Sequence, residues 1–222
     1  MQHLFQRYTD RLVELDLPGR KKVTGMIANY GLDIVVIYDG SSYFYISLAH
    51  IGYIKQLPDS DAIIELPLTD AAVSERDISF RKILSQAKGQ FVELYVTGSS
   101  TIHGYITNVL TNYIVFYSPI YRTLFIPLHH LKWLSFYLER RTPYSLDLKF
   151  LPVQPTDLTL ARTFEEQIKK LEGKIVILDL GKGSRQGLLS RAEGQLIELI
   201  TAEEQVLVSH MQHIKSVHSP YI

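Results

Sequence analysis

The chain has 222 residues and contains no cysteine, which removes disulfide frameworks, thiolate metal sites and cysteine nucleophiles from consideration. It also lacks an excess of either charge: 23 Lys and Arg balance 23 Asp and Glu. A neutral chain exerts no overall pull on nucleic acid or on an anionic membrane, so any nucleic-acid contact has to come from a local basic patch. No apolar run approaches the roughly 18–20 residues of a membrane span. The opening MQHLFQRYTDR lacks the apolar stretch of a secretory signal. These absences predict a chain made and folded in the cytosol, with no membrane partner. Catalytic groupings are missing as well. No Ser-His-Asp order, carboxylate pair or metal-binding helix stands out, and His210, His213 and His218 do not follow a recognised ligand spacing. No catalytic residue, cofactor site or metal site is assigned, and the expectation is a non-enzyme.

In their place stands repetition. The chain reads RLVELDL, VTGMIANY, DIVVIYD and SYFYISLAHIGYIKQL, then QFVELYV, IHGYITNV, YIVFYSP and RTLFIPLHHLKWLSFY, then KIVILDL, QGLLSRA, QLIELIT and QVLVSHMQHIKSV. Gly25, Gly104 and Gly187 occupy one place in the unit, and His50, His130 and His213 another, with about 25 residues between them in every copy. A fixed internal period makes the object three copies of one small unit. Three copies of about 60–80 residues bury modest cores and gain from packing on each other.

Each copy follows one grammar. A short helical lead-in covers about His3–Tyr8, Ile78–Ala87 and Leu160–Leu171, with Asp77 and Asp157 as N-terminal caps of the second and third. A first strand alternates, placing Val13, Leu15 and Leu17 on one face, then Val92, Leu94 and Val96, then Val176, Leu178 and Leu180. A turn leads to a second strand that carries the glycine. Glycine within a strand marks a sharp bend or a close backbone approach. Two further strands follow, and the histidine precedes a last short one. Helix plus five short antiparallel strands predicts a mainly β chain of three tandem small SH3-like or Sm-like five-stranded barrels, each with a short N-terminal helix. The boundaries are barrel repeats at 1–57, 77–138 and 157–222, separated by linkers at 58–76 and 139–156. Apolar residues in the linkers (Ile63, Ile64, Leu66; Leu146, Leu148, Phe150, Leu151) predict that they lie against a barrel.

The glycine bend, the following D-h-h-h strand and the closing H-[IL]-x-x-[ILV] resemble the Sm/LSm family and its bacterial relative Hfq, whose rings bind single-stranded RNA. GKGSRQG followed by QHIKSVHS in the third copy is similar to the repeat of the spore coat protein B family of endospore-forming Bacilli, which also carries three such units. The first two copies keep these segments loosely, as PGRKK with AHIGYIK and TGSST with HHLKWLS. This second resemblance implies a non-enzymatic assembly protein of the spore coat, a protein–protein scaffold whose partners are other coat or morphogenetic proteins, with self-association open. On that reading Gly25, Gly104, Gly187, His50, His130 and His213 are fold-determining positions. The alternative, by analogy with Sm-like rings, is an RNA-binding module in which Lys21, Lys22, His50, His130 and His213 lie near the ligand.

Two further features carry weaker signals. Gly181-Lys182-Gly183-Ser184 lacks the P-loop spacing and reads as a hairpin turn. The 14 tyrosines fit the β-propensity of that residue, or supply surface for assembly and cross-linking. Tyr43, Tyr45, Tyr53, Tyr117, Tyr121, Trp133 and Tyr137 are expected inside barrels or at interfaces between them.

Overall fold

A computed structural model of the chain describes residues 5–9, 11–19, 21–58, 78–96, 101–137, 143–153, 159–180 and 183–220. The first unit runs β1 (Leu12–Leu17), β2 (Lys21–Tyr30), β3 (Ile34–Tyr38), β4 (Tyr43–Ser47) and β5 (Tyr53–Gln56). After helix α1 (Phe80–Gln86) the second runs β6 (Phe91–Tyr95), β7 (Ile102–Val109), β8 (Tyr113–Ser118), β9 (Arg122–Pro127) and β10 (Trp133–Phe136). After α2 (Phe164–Lys169) the third runs β11 (Ile175–Leu178), β12 (Arg185–Glu193), β13 (Leu196–Ile200), β14 (Val206–His210) and β15 (Val217–His218). A single 3-10 turn, Leu48–His50, Leu128–His130 and Met211–His213, precedes the last strand of each unit. The protein is mainly β.

Repetition extends to the register. The glycines pair with Val13, Val92 and Val176 of the first strands. A β-bulge follows in each second strand, between Ile27 and Asn29, Ile106 and Asn108, and Leu189 and Arg191. Glycine is needed because the neighbouring strand crosses very close. A Cβ at Gly25, Gly104 or Gly187 would stand 2.2, 2.0 or 2.4 Å from the carbonyl oxygen of Tyr38, Tyr117 or Ile200.

The expected closure into three barrels is not found. Within each unit the strand order is fifth-first-second-third-fourth, and the fourth strand does not pair with the fifth of its own unit. Instead β10 pairs antiparallel with β4, and β15 with β9, so all fifteen strands form one open antiparallel sheet in which each unit's last strand extends the sheet of the unit before. A fourth strand satisfies its backbone equally well on a neighbour's fifth strand as on its own, and the tandem chain supplies that neighbour at high effective concentration.

This joining buries third and fourth strands on both faces. Ile34 and Val36 point into a core shared with Phe80, Ile83 and Leu84 of α1, whereas Val35 and Ile37 point into the core of the first unit. Tyr113, Val115 and Phe125 likewise pack with Phe164 and Ile168 of α2. Side chains of the preceding unit also cap these helices. Asp33 Oδ1 accepts from Phe80 N (3.0 Å), and Asn112, at the same place in the second unit, accepts from Phe164 N (2.8 Å). Ser79 and Thr163 are the side-chain N-caps, Thr163 in a capping box with Glu166; Asp77 and Asp157 lie outside the described residues. Of the first lead-in, Phe5 and Gln6 are helical, and residues 1–4 lie outside the described residues.

The first linker is outside the described residues from 59 to 77. In the second, Leu151 packs with Phe91, Tyr105 and Tyr117, whereas Leu146 and Phe150 stay exposed. Among the tyrosines, Tyr43, Tyr45, Tyr95, Tyr105, Tyr113 and Tyr117 are buried, and Tyr53 and Tyr144 are exposed.

Candidate functional site at the histidine seams

The repeated histidines sit where one unit meets the next, because the 3-10 turn that ends each fourth strand stacks beside its counterpart. His130 Nε2 lies 2.7 Å from the carbonyl oxygen of Gln212, the residue just before His213, and donates to it. His129 Nε2 approaches the same oxygen at 3.2 Å, its ring 4.1 Å from that of His130. His50 repeats the contact one unit earlier, hydrogen-bonding the backbone of His129, the residue just before His130. His50 and His130 are therefore latches onto the backbone of the following unit. His213 is exposed.

Burial holds the His50 and His130 imidazoles well below their ordinary range, to about 4 in each case. The Lys132 charge adds to this at His50, and His129, Lys132 and Lys215 add to it at His130. Burial also lowers His218. Both latch histidines are thus neutral at pH 7 and donate one N–H each. The folded chain resists a proton that the unfolded chain accepts below about 6.5, so the histidine contribution is complete above pH 6.5 and is lost as pH falls toward 4. We expect the urea midpoint to fall as the pH drops from 6.5 to 4.5. A His50→Gln/His130→Gln double variant should lose part of that slope; equal slopes in the two proteins would refute the assignment. Above pH 4.5 the exposed Glu14–Lys22 pair, which lowers Glu14, does not enter the comparison.

Lys132 completes the first seam and escaped sequence reasoning. Two residues after His130, it reads as an ordinary outward lysine. It is 7% exposed, donates from Nζ to the carbonyl of Val96, and lies 5.1 Å from the centre of the Tyr95 ring. Burial, with the Lys215 charge adding, brings its ammonium down to about 8. Tyr95 Oη in turn donates to the carbonyl of Pro18 in the first unit (2.9 Å). Trp133, beside Lys132, is 1% exposed and packs on Phe44 (centroids 4.9 Å apart, edge-on) and on Tyr95 (5.8 Å). The signal that could have exposed Lys132 is its place just before the fifth strand, between the apolar Leu131 and Trp133.

The remaining residues named from sequence fall elsewhere. Lys22 pairs with Glu14 at 2.8 Å on the surface of the first unit, and Lys21 stands at the start of β2 opposite Leu17. Neither joins the latch contacts of His50 and His130. Arg185 is tied to Asp179 (2.9 Å) and to Ser209 Oγ (2.6 Å); Gly181 and Lys182 lie outside the described residues. Among the described residues no cluster of three His, Asp or Glu is placed to hold a metal ion, and no helix is long and apolar enough to cross a membrane. A recess of about 120 Å³ at the second seam, lined by Asn112, His129, Glu165 and Gln212 among others, is below the roughly 300–1,000 Å³ of small-molecule sites.

Residues 163–217 match a family model described as the YwrJ third domain. Along its length the chain is similar to "Uncharacterized protein YwrJ" of Bacillus subtilis (strain 168), at 42% identity over 216 residues that cover 94% of this chain and 95% of the relative. No solved structure matches it.

Proposed function

We propose, for a chain that belongs to the YwrJ family, a non-enzymatic role as a structural assembly protein: a scaffold of three Sm-like units that offers related surfaces to other proteins of the spore coat. The observation that carries this reading is the use made of the reactive side chains. Of the repeated or buried groups best suited to chemistry, His50 and His130 spend their donors on backbone carbonyls of the adjoining unit, and Lys132 donates to the Val96 carbonyl of its own unit. Groups committed in this way hold strands in place and have little left for a substrate. The coat assignment draws on the resemblance of GKGSRQG and QHIKSVHS to the spore coat protein B repeat, and a Bacillus relative is consistent with it. Deleting the gene and comparing the protein composition of purified spore coats is the test. A coat lacking this chain and altered in at least one other component is expected; an unchanged coat, with the protein confined to growing cells, would sink the proposal.

One observation favours a second reading, an RNA-binding Sm-like module. His129, Lys132 and Lys215 lie close enough that their charges add to burial in lowering the proton affinity of His50, His130 or Lys132. Clustered basic side chains are what a phosphate backbone recognises. A gel shift with U-rich and A-rich oligonucleotides at low and high salt separates the two readings. Salt-sensitive retention lost in His130→Ala would favour RNA; no retention at low salt would remove it.

A further inference from the structure

The two seams share one construction. In both, a fifth strand adds to the preceding unit's fourth strand, with Leu134 opposite Tyr45 and Val217 opposite Phe125. Ser47, Pro127 and His210 mark equivalent points, each immediately before a 3-10 turn. Counted from these points the two registers are identical. The sheet then ends in one strand of each kind: among the described residues β5 pairs only with β1, and β14 only with β13.

These two end strands are exposed where their counterparts are covered. Val208 is 62% exposed, while Tyr45 and Phe125 at the same position are 2% and 0%. Tyr53 is 45% exposed against 1% for Trp133. The third unit also has an open place where the first two seat a helix. A depression of about 330 Å³, lined by Arg191, Glu193, Leu196, Ile197, Glu198 and Val208, lies where Leu196 replaces Ile34 and Tyr113, the residues that pack on α1 and α2. Gln195, in the place of the helix-capping Asp33 and Asn112, is exposed, as is His213 in the place of the latches.

We infer that a second copy of this chain occupies that end: β5 of one copy adds antiparallel to β14 of another and builds a third seam like the two within the chain. Carrying the register over places Ile54 opposite Val208, Tyr53 opposite Ser209 and Lys55 opposite Leu207. His213 then donates to the backbone carbonyl of Ala49 in the second copy, as His50 does to His129 and His130 to Gln212. The occupant is a second copy and not an unrelated strand, because both halves of the contact are present on one chain and the same contact already forms twice. Such an interface is head-to-tail and yields a closed ring if the rotation closes, or a filament if it does not. The inference does not rest on the coat assignment, since it is read on purified protein.

The chain has no cysteine of its own, so introduced thiols report cleanly. An Ile54→Cys protein and a Val208→Cys protein, mixed and oxidised, should give a disulfide-linked pair, and neither alone should cross-link to a comparable extent. Sedimentation of the wild-type chain at tens of micromolar should give a multiple of 25.4 kDa, reduced to a single chain by Val208→Lys or, independently, by Tyr53→Lys. Both substitutions fall on exposed positions, and circular dichroism checks that the fold survives. A wild-type chain sedimenting at 25.4 kDa with no mixed cross-link overturns the inference. Cross-linking of Val208→Cys to itself in preference to Ile54→Cys overturns it too, because the contact would then be two-fold and not head-to-tail.

Discussion

Replacing Gly104 by alanine should destabilise the chain by about 3 kcal/mol, toward the upper end of what overpacking costs. The added Cβ would stand 2.0 Å from the carbonyl oxygen of Tyr117 and 2.9 Å from the Cα of Ser118. Both are backbone atoms of a strand buried along its length, so no rotamer change relieves the contact and the two strands must part. At roughly 2–4 °C per kcal/mol for a chain of this size, the melting temperature should fall by about 6–12 °C. Gly89→Ala is the comparison. Nothing lies within 4 Å of a Cβ there, but φ is +78°, so only left-handed backbone strain of about 1–2 kcal/mol is added. If Gly104→Ala melts no lower than Gly89→Ala, close approach is not what the repeated glycine serves.

The second large effect is at the first seam. Trp133→Ala removes the only tryptophan of the chain from a site 1% exposed, between Phe44 of the first unit and Tyr95 of the second. Truncating a buried tryptophan costs about 3–5 kcal/mol. Trp133→Phe should cost much less, because it keeps a ring against Phe44 and removes an indole N–H that is buried without a partner among the described residues. Denaturant midpoints of the three proteins give the order wild type, Phe, Ala. A Phe variant as unstable as the Ala variant would mean that the indole ring, not seam packing in general, is required. The wild-type emission, coming wholly from Trp133, should be blue-shifted in the native state and move to the red as the seam opens in acid.

Much of this architecture can be read from the letters alone. Val13, Leu15 and Leu17 are buried as their alternation predicts, because a strand's two-residue period is a local property. The common positions of Gly25, Gly104 and Gly187 emerge from repetition without any structure. What could not be read is which strand each edge joins. The residues of β4 carry the same pattern whether they pair with β5 or with β10, so a closed barrel and an open chain of units look alike in sequence. The same blindness hid Lys132, whose surroundings come from Tyr95 and Val96, remote in sequence, and from a second unit. The caps differ by a smaller margin: Ser79 rather than Asp77 begins α1, and the decisive partner, Asp33, is 47 residues away from Phe80.

The burial of third and fourth strands on both faces sets a timetable for synthesis. While the ribosome is still making the second unit, Ile34, Val36 and Tyr45 of the first have no helix over them. Tyr113, Val115 and Phe125 wait in the same way for the third. Chains grow at about 5–20 residues per second and fold from the N-terminus, so each greasy face stands open for some seconds before its cover emerges. Nascent chains on neighbouring ribosomes are then in competition with the chain's own next unit for those faces. A stalled or truncated product ending after the second unit would carry its uncovered face permanently, and that fragment is the one expected to precipitate or to be cleared.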